Sequence, residues 1–71
     1  MNVLIFKTNI RFKKDLKIVG PFLAAHQPVL KWNVDRQDTD KVLRVESATP
    51  DTVGIIKTIR EAGYDCEELP D

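Results

Sequence analysis

The sequence predicts an α+β fold whose four strands and two helices follow one another in the order β-α-β-β-α-β. Three patterns indicate this order. They are a short continuous apolar run near the start, two stretches in which apolar residues recur every three or four positions, and two consecutive stretches in which apolar and polar residues alternate. A chain of 71 residues can bury one small core, so we expect a single domain that spans residues 1–71.

The first strand and the first helix are predicted within the first 26 residues. Val3–Lys7 is predicted as a buried strand because it begins with four consecutive apolar residues, a run too short for a helix. A helix is predicted over residues 10–26, where one face recurs at spacings of four and three positions: Phe12, Leu16, Val19, Leu23 and His26. Gly20-Pro21 lies inside this helix, and we expect a kink there because the spacing continues beyond the proline.

A hairpin of two strands is predicted next. Leu30, Trp32 and Val34 alternate with polar residues, which is typical of a half-buried strand. Arg36–Asp40 forms a polar turn, and Lys41–Ser47 is predicted as the second strand of an antiparallel pair.

The second helix has a clear predicted start and end. Thr49 is suited to the N-cap, Pro50 to the first helical position and Asp51 to the first turn. The predicted buried stripe consists of Val53, Ile55, Ile56, Ile59 and Ala62. Gly63 favours the left-handed conformation that ends a helix, and Tyr64–Leu69 is predicted as a short acidic edge strand.

Right-handed crossovers fold this order into a ferredoxin-like arrangement, with two helices on one face of a four-stranded antiparallel sheet of strand order 4-1-3-2. If Val3 and Ile5 face the helices, Leu4 and Phe6 lie on the open face and form a contact patch for a protein partner or a homodimer. Alternatively, the alternation of the first strand is reversed, or the side chains of Lys31 and Arg44 cover the patch. An edge strand is a second candidate contact.

The chain resembles the heavy-metal-associated domain, the fold of small copper chaperones and of the metal-binding modules of heavy-metal pumps. The resemblance depends on the length, the element order, the spacing of the apolar residues in the first helix and the ending "IIKTIREAGYDCEEL". It implies a Met-x-Cys-x-x-Cys loop between the first strand and helix, whose thiolates bind a soft metal ion. Counting back from Leu16 places these three ligand positions at Lys7, Asn9 and Phe12, so none of the ligands is present. We therefore expect no cysteine metal site and no cofactor.

Two other side chains could in principle bind a metal ion. Cys66 is expected to point toward the helices from the last strand, as a small buried hydrophobe. His26 is expected to cap the far end of the first helix, roughly 25 Å from the loop at 1.5 Å per residue. The two cannot share an ion within one chain, although an intermolecular site at either residue stays open.

The loop itself has three interpretations. Thr8 or Asn9 can simply cap a helix that begins near Ile10. Alternatively, the loop binds an anion such as phosphate, sulfate or a partner's carboxylate, and the candidate residues are Lys7, Thr8, Asn9, Arg11, Lys13 and Lys14. The third interpretation is that Lys13 and Lys14 are only the solvated face of the helix.

Composition excludes several classes of function. The net charge is zero, although residues 1–34 carry six Lys/Arg and one Asp whereas residues 35–71 carry five Lys/Arg and ten Asp/Glu. Without an overall basic excess, and without aromatic residues in the strand "KVLRVES", we expect no nucleic-acid partner. We also expect no membrane partner, because no apolar run approaches about 18 residues. One cysteine fits a reducing cytoplasm.

The functional expectation follows from these exclusions. The one histidine has no nucleophile near it, so an enzyme is disfavoured. We expect a non-catalytic binding or accessory module that acts through protein or anionic-partner contacts. The alternative is an atypical or weak metal-binding, transport-related protein with ligands other than cysteine.

Overall fold

The computed structural model describes residues 2–69 and contains the six elements in the predicted order. Met1, Pro70 and Asp71, the ends of the predicted domain, lie outside the described residues. The elements are β1 (Asn2–Thr8), α1 (Lys13–Ala25), β2 (Val29–Asp35), β3 (Val42–Ser47), α2 (Thr52–Glu61) and β4 (Cys66–Glu68). The strands form one antiparallel sheet in the order β2-β3-β1-β4, so the predicted order 4-1-3-2 is confirmed.

One hydrophobic core lies between the sheet and the two helices. β1 and β3 are the central strands and supply its sheet side, while each helix contributes residues four positions apart. The fully buried apolar side chains are Phe6, Ile10, Val19, Leu23, Leu43, Val45, Ile55 and Ile59. Burial of these side chains is the main source of stability in a domain of this size.

The face of β1 that meets the helices is the opposite of the one we predicted. Phe6 is fully buried and Leu4 packs against the core, whereas Val3 is 39% exposed. Cross-strand partners share one face of a sheet, and Phe6 pairs with the buried Leu43 in β3. The prediction of a Leu4 and Phe6 contact patch on the open face is therefore wrong.

A β-bulge changes the exposure of the first residues of β2. The pairing of β2 with β3 shifts between Val29 and Lys31, and Leu30 is 61% exposed as a result. Trp32 and Val34 pack against the core as predicted.

Helix α1 begins later than predicted and continues through its proline. Its first residue is Lys13, because the preceding backbone N–H groups of Arg11 and Phe12 are bound by the side chain of Asp15 in a turn that leads into the helix. Pro21 lies within an unbroken α1, and the residue before it, Gly20, faces Trp32.

The capping residue of α2 is Asp51 and not Thr49. The Asp51 carboxylate accepts a hydrogen bond from the backbone N–H of Gly54 at 3.1 Å. Val53, the second residue of α2, is 76% exposed, so its predicted place in the buried stripe is wrong, whereas Ile55 and Ile59 are buried as predicted.

The predicted end of α2 is confirmed. Gly63 has a φ of +95°, in the left-handed region that favours glycine. Its N–H donates to the carbonyl of Arg60, and the N–H of Tyr64 donates to the carbonyl of Ile59. These two bonds form a Schellman motif, which satisfies the last carbonyls of the helix.

Candidate functional site

Three connections meet at one end of the sheet. Because the strands alternate in direction, the β1–α1 loop, the β2–β3 turn and the α2–β4 connection all lie at this end. The N–H of Thr8 donates to the carbonyl of Asp40 at 3.1 Å, and the N–H of Asp65 donates to Oδ1 of Asn9 at 2.9 Å. The loop that the resemblance singled out is thus bound to its neighbours on both sides.

Thr8 fastens the start of this loop. It is buried, and its Oγ1 donates to the carbonyl of Lys41 and accepts from the N–H of Ile10 at 3.2 Å. Since α1 begins only at Lys13, Thr8 and Asn9 do not cap it, and that prediction is wrong. Both residues hold the loop in place through side-chain bonds.

Asp15 occupies the position in which an external anion was expected. Its Oδ2 accepts from the backbone N–H groups of Arg11 at 3.2 Å and Phe12 at 2.9 Å, and its Oδ1 accepts from the Tyr64 hydroxyl at 2.7 Å. The Tyr64 bond first, and then the Phe12 N–H, lower the pKa of Asp15, while the same carboxylate raises the pKa of Tyr64. The backbone N–H groups of Arg11 and Phe12 are therefore not available to an external ligand.

A basic groove opens between the three connections. This surface depression of about 850 Å³ is lined by five cationic and two carboxylate side chains, together with Thr8, Asn9, Phe12, Thr39 and Cys66. The cations are Lys7, Arg11, Arg36, Lys41 and Arg60, and the carboxylates are Asp65 and Glu67. The groove therefore carries an excess of positive charge.

Three of the groove cations have partners within the protein, and the first is Lys41, whose Nζ donates to the backbone carbonyl of Asp38 at 3.0 Å. Arg60 donates to the backbone carbonyl of Cys66 at 3.3 Å. Nζ of Lys7 lies 3.8 Å from a carboxylate oxygen of Asp40, and both side chains are about half exposed. An ion pair this exposed is weak, so Lys7 remains able to contact a ligand.

The structure brings only part of the predicted anion loop together. Lys7, Thr8, Asn9 and Arg11 line the basic groove, whereas Lys13 and Lys14 are exposed in the first turn of α1 and do not. Nζ of Lys14 lies 5.5 Å above the ring of Phe12.

Sequence reasoning missed three of the five groove cations. Arg36, Lys41 and Arg60 come from the β2–β3 turn and the end of α2. The available signal was topological: in this element order the first, third and fifth connections lie at the same end of the sheet.

The groove does not fit a soft metal ion. Lys7, Asn9 and Phe12, at the ligand positions that the resemblance implies, are all exposed and offer neither thiolate nor thioether. Within residues 2–69 no group of three or more His, Cys, Asp and Glu side chains is placed to hold a metal ion. The surrounding cations also oppose a positively charged ligand.

Cys66 and His26 do not supply the missing ligands. Cys66 is 2% exposed in the core, and burial raises the pKa of its thiol to about 12 although the charge of Arg60 opposes this. Such a thiol is protonated at neutral pH, whereas a metal ligand must be a thiolate. His26 lies at the opposite end of the fold, with Nε2 2.9 Å from Oδ2 of Asp51.

The fold of this chain is similar to that of solved domains. The sequence matches no protein-family model and no curated protein. The N-terminal domain of PacS from Synechocystis PCC6803 is similar in structure, with a TM-score of 0.80, 15% identity and coverage of 99% of this chain and 100% of that one. The yeast copper transporter domain Ccc2a, solved in its apo and Cu(I)-loaded states, also has a TM-score of 0.80, at 20% identity and with coverage of 100% of this chain and 99% of that one.

These neighbours confirm the heavy-metal-associated-like, ferredoxin-like fold predicted from the sequence. Between Asn2 and Leu69 no helix has both the length and the apolar character needed to cross a membrane.

Proposed function

We propose that this chain is a small non-catalytic binding module of heavy-metal-associated-like fold that lacks the cysteine metal site. It acts through contacts between the basic groove and a protein or another anionic partner. The observation that carries the proposal is the set of side chains at this end of the fold, which comprises five cations and no exposed thiol. Charged groups of one sign around a concave surface attract partners of the opposite sign and speed their association.

The positions of the cations favour recognition by side chains. Arg11 and Arg36 project from two different connections, and both are exposed. Guanidinium groups present paired N–H donors that match the two oxygens of a carboxylate. A partner with several carboxylates on one surface would therefore bind across the groove, and added salt would weaken the contact.

A metal-related role is the second candidate, and one observation favours it. The Ccc2a domain, which has the same fold, has been solved with Cu(I) bound. In this chain the role would require ligands other than cysteine, and the carboxylates that line the groove are those of Asp65 and Glu67. We favour the first proposal because the same groove holds five cations.

Amide NMR separates the two proposals. The ¹⁵N-labelled chain is titrated with Cu(I), Zn(II) and Ni(II), and in a second series with a short polyglutamate peptide at low and high salt. We expect the peptide to shift amides of the groove at low salt only, and the metals to shift none. Saturable shifts of the Lys7–Phe12 and Gly63–Cys66 amides with a metal would instead establish the metal role.

Further proposals concern where and in what state the module acts. We propose that residues 1–71 form one domain that acts in the cytoplasm. Self-association through an edge strand stays a prediction, since β2 and β4 are the outer strands of the sheet. Sedimentation at high micromolar concentration tests it, and a clean monomer would remove this mode of contact.

A further inference from the structure

We infer that the basic groove binds an organic phosphomonoester, with its phosphate held by Arg11 and Arg36 and its organic part against Phe12. This inference rests on the proposed function, because it names the ligand class for the same groove. It draws on four observations: the charge of the groove, the kind of cations in it, the state of the loop backbone and the size of the depression.

The charge of the groove fits a dianion better than a single carboxylate. Its five cations exceed its two carboxylates by three positive charges, and by two when Asp40, the partner of Lys7, is counted as well. One cation would suffice to neutralise a carboxylate, whereas a phosphomonoester carries a charge of about −1.5 to −2 at neutral pH and has three acceptor oxygens. A ligand of this charge makes use of cations from more than one connection.

The kind of cation points to an oxyanion with paired oxygens. Three of the five groove cations are arginines. Arg60 already donates to the carbonyl of Cys66, so Arg11 and Arg36 are the exposed pair best able to bind a ligand. Each guanidinium can donate two parallel N–H bonds to two phosphate oxygens.

Three backbone N–H groups of the loop are already bound within the protein. Thr8 Oγ1 binds the N–H of Ile10, and Asp15 binds the N–H groups of Arg11 and Phe12. These three donors are not available to a phosphate, so the proposed contacts come from the groove side chains, and substitution of those side chains tests them.

The size of the groove calls for a ligand larger than inorganic phosphate. A volume of about 850 Å³ lies within the roughly 300–1,000 Å³ typical of small-molecule sites. Phe12 lines the groove and is 58% exposed, and Nζ of Lys14 lies over one face of its ring, which leaves the other face to stack on a planar organic group.

The test uses three small probes on the full chain: adenosine 5′-monophosphate, inorganic phosphate and adenosine, each at constant ionic strength. We expect the monophosphate to shift amides at Thr8–Phe12 and Arg36–Lys41, phosphate to shift them more weakly, and adenosine alone to shift none. The substitutions Arg11→Gln and Arg36→Gln together should weaken monophosphate binding at least about tenfold, since charge-assisted hydrogen bonds are lost.

Matched variants separate a site from general charge. Arg44→Gln with Lys57→Gln removes two exposed cations that do not line the groove, and should leave the affinity for the monophosphate unchanged. Phe12→Ala should weaken binding of the monophosphate and leave binding of inorganic phosphate as it was. All replaced side chains are exposed, so the folded spectrum of each variant provides the control for folding.

Two results would overturn the phosphomonoester inference. Equal loss of affinity in the groove variant and the matched variant would overturn the inference, as would the absence of any shift with phosphate and monophosphate. If a polyglutamate peptide then still shifts the groove amides, the proposed function stands and only the phosphomonoester is excluded. If the peptide also shifts none, both the inference and the proposed function fall.

Discussion

Replacing Gly54 by alanine should have an unusual effect on stability, because this glycine lies against the side chain that caps α2. A Cβ at Gly54 would overlap Oδ2 of Asp51 and lie 2.7 Å from its Cγ. The same carboxylate accepts the N–H of Gly54 and contacts Nε2 of His26 at the end of α1. Alanine would therefore force the Asp51 side chain out of its capping position.

The two energetic effects of this substitution nearly cancel. Alanine in place of glycine within a helix gains about 1 kcal/mol. Loss of an aspartate N-cap costs about 1 kcal/mol. Gly54→Ala alone should therefore change the free energy of unfolding by less than about 0.5 kcal/mol. With Asp51→Ala already present there is no cap to lose, and Gly54→Ala should then stabilise the protein by the full amount of about 1 kcal/mol.

Urea denaturation of the four proteins in this double-mutant cycle measures the coupling. We expect an interaction free energy of about 1 kcal/mol between Asp51 and Gly54. If Gly54→Ala stabilises the parent chain as much as it stabilises the Asp51→Ala variant, the capping role assigned to Asp51 is refuted. The control is the slope of the unfolding free energy against urea concentration. An equal slope in all four proteins shows that they unfold from comparable folded states.

Three further predictions test the loop and its surroundings. Asn9→Cys with Phe12→Cys should bind Cu(I) more tightly than the parent chain does, measured by competition with a chromophoric chelator; no gain would show that the ligand positions are misassigned. Because its folded-state pKa is lowered, Asp15 contributes stability above its ordinary pKa of 3.8 and loses it as pH falls below that value. In Asp15→Asn, urea midpoints should therefore be lower at neutral pH and decline less between pH 4 and acid, and an identical decline would contradict the assignment. Cys66, with a buried thiol whose pKa is raised to about 12, should react with a thiol reagent at pH 8 only when the chain is unfolded in urea; fast labelling of the folded chain would contradict its burial.

Short sequence patterns predicted the features of the fold that depend on neighbouring residues. The Ala62-Gly63 pair predicted the end of α2, because a glycine in the left-handed conformation satisfies the last carbonyls wherever the helix lies. The alternation of Trp32 and Val34 with polar residues predicted the face of β2 that packs against the core, because successive side chains of a strand point to opposite faces. In both cases the information lies in neighbouring residues.

Other features depended on contacts that no local pattern contains. The run from Val3 to Phe6 is apolar at every position, so it has no alternation to indicate which face meets the helices, and only pairing with β3 decides it. The apparent alternation at Leu30 failed because a bulge shifts the register there. At the start of α1, the carboxylate of Asp15 binds two upstream N–H groups and moves the first helical residue to Lys13.

The candidate site was only half predictable for the same physical reason. Lys7 and Arg11 stand in the loop to which the family resemblance drew attention, and both line the groove. Arg36, Lys41 and Arg60 are distant in the sequence, and each taken alone looks like a solvated surface charge. They become part of one site because the fold places alternate connections at the same end of the sheet.

The most direct test of the central claim is a sequential titration of one ¹⁵N-labelled sample, first with Cu(I) and then with a polyglutamate peptide at low salt. The claim is that the loop end of this heavy-metal-associated-like fold is a basic binding surface and not a metal site. It predicts no change with Cu(I), followed by saturable shifts of the groove amides around Arg11, Arg36 and Arg60 with the peptide. Stoichiometric shifts of the Lys7–Phe12 amides with Cu(I), and none with the peptide, would contradict it.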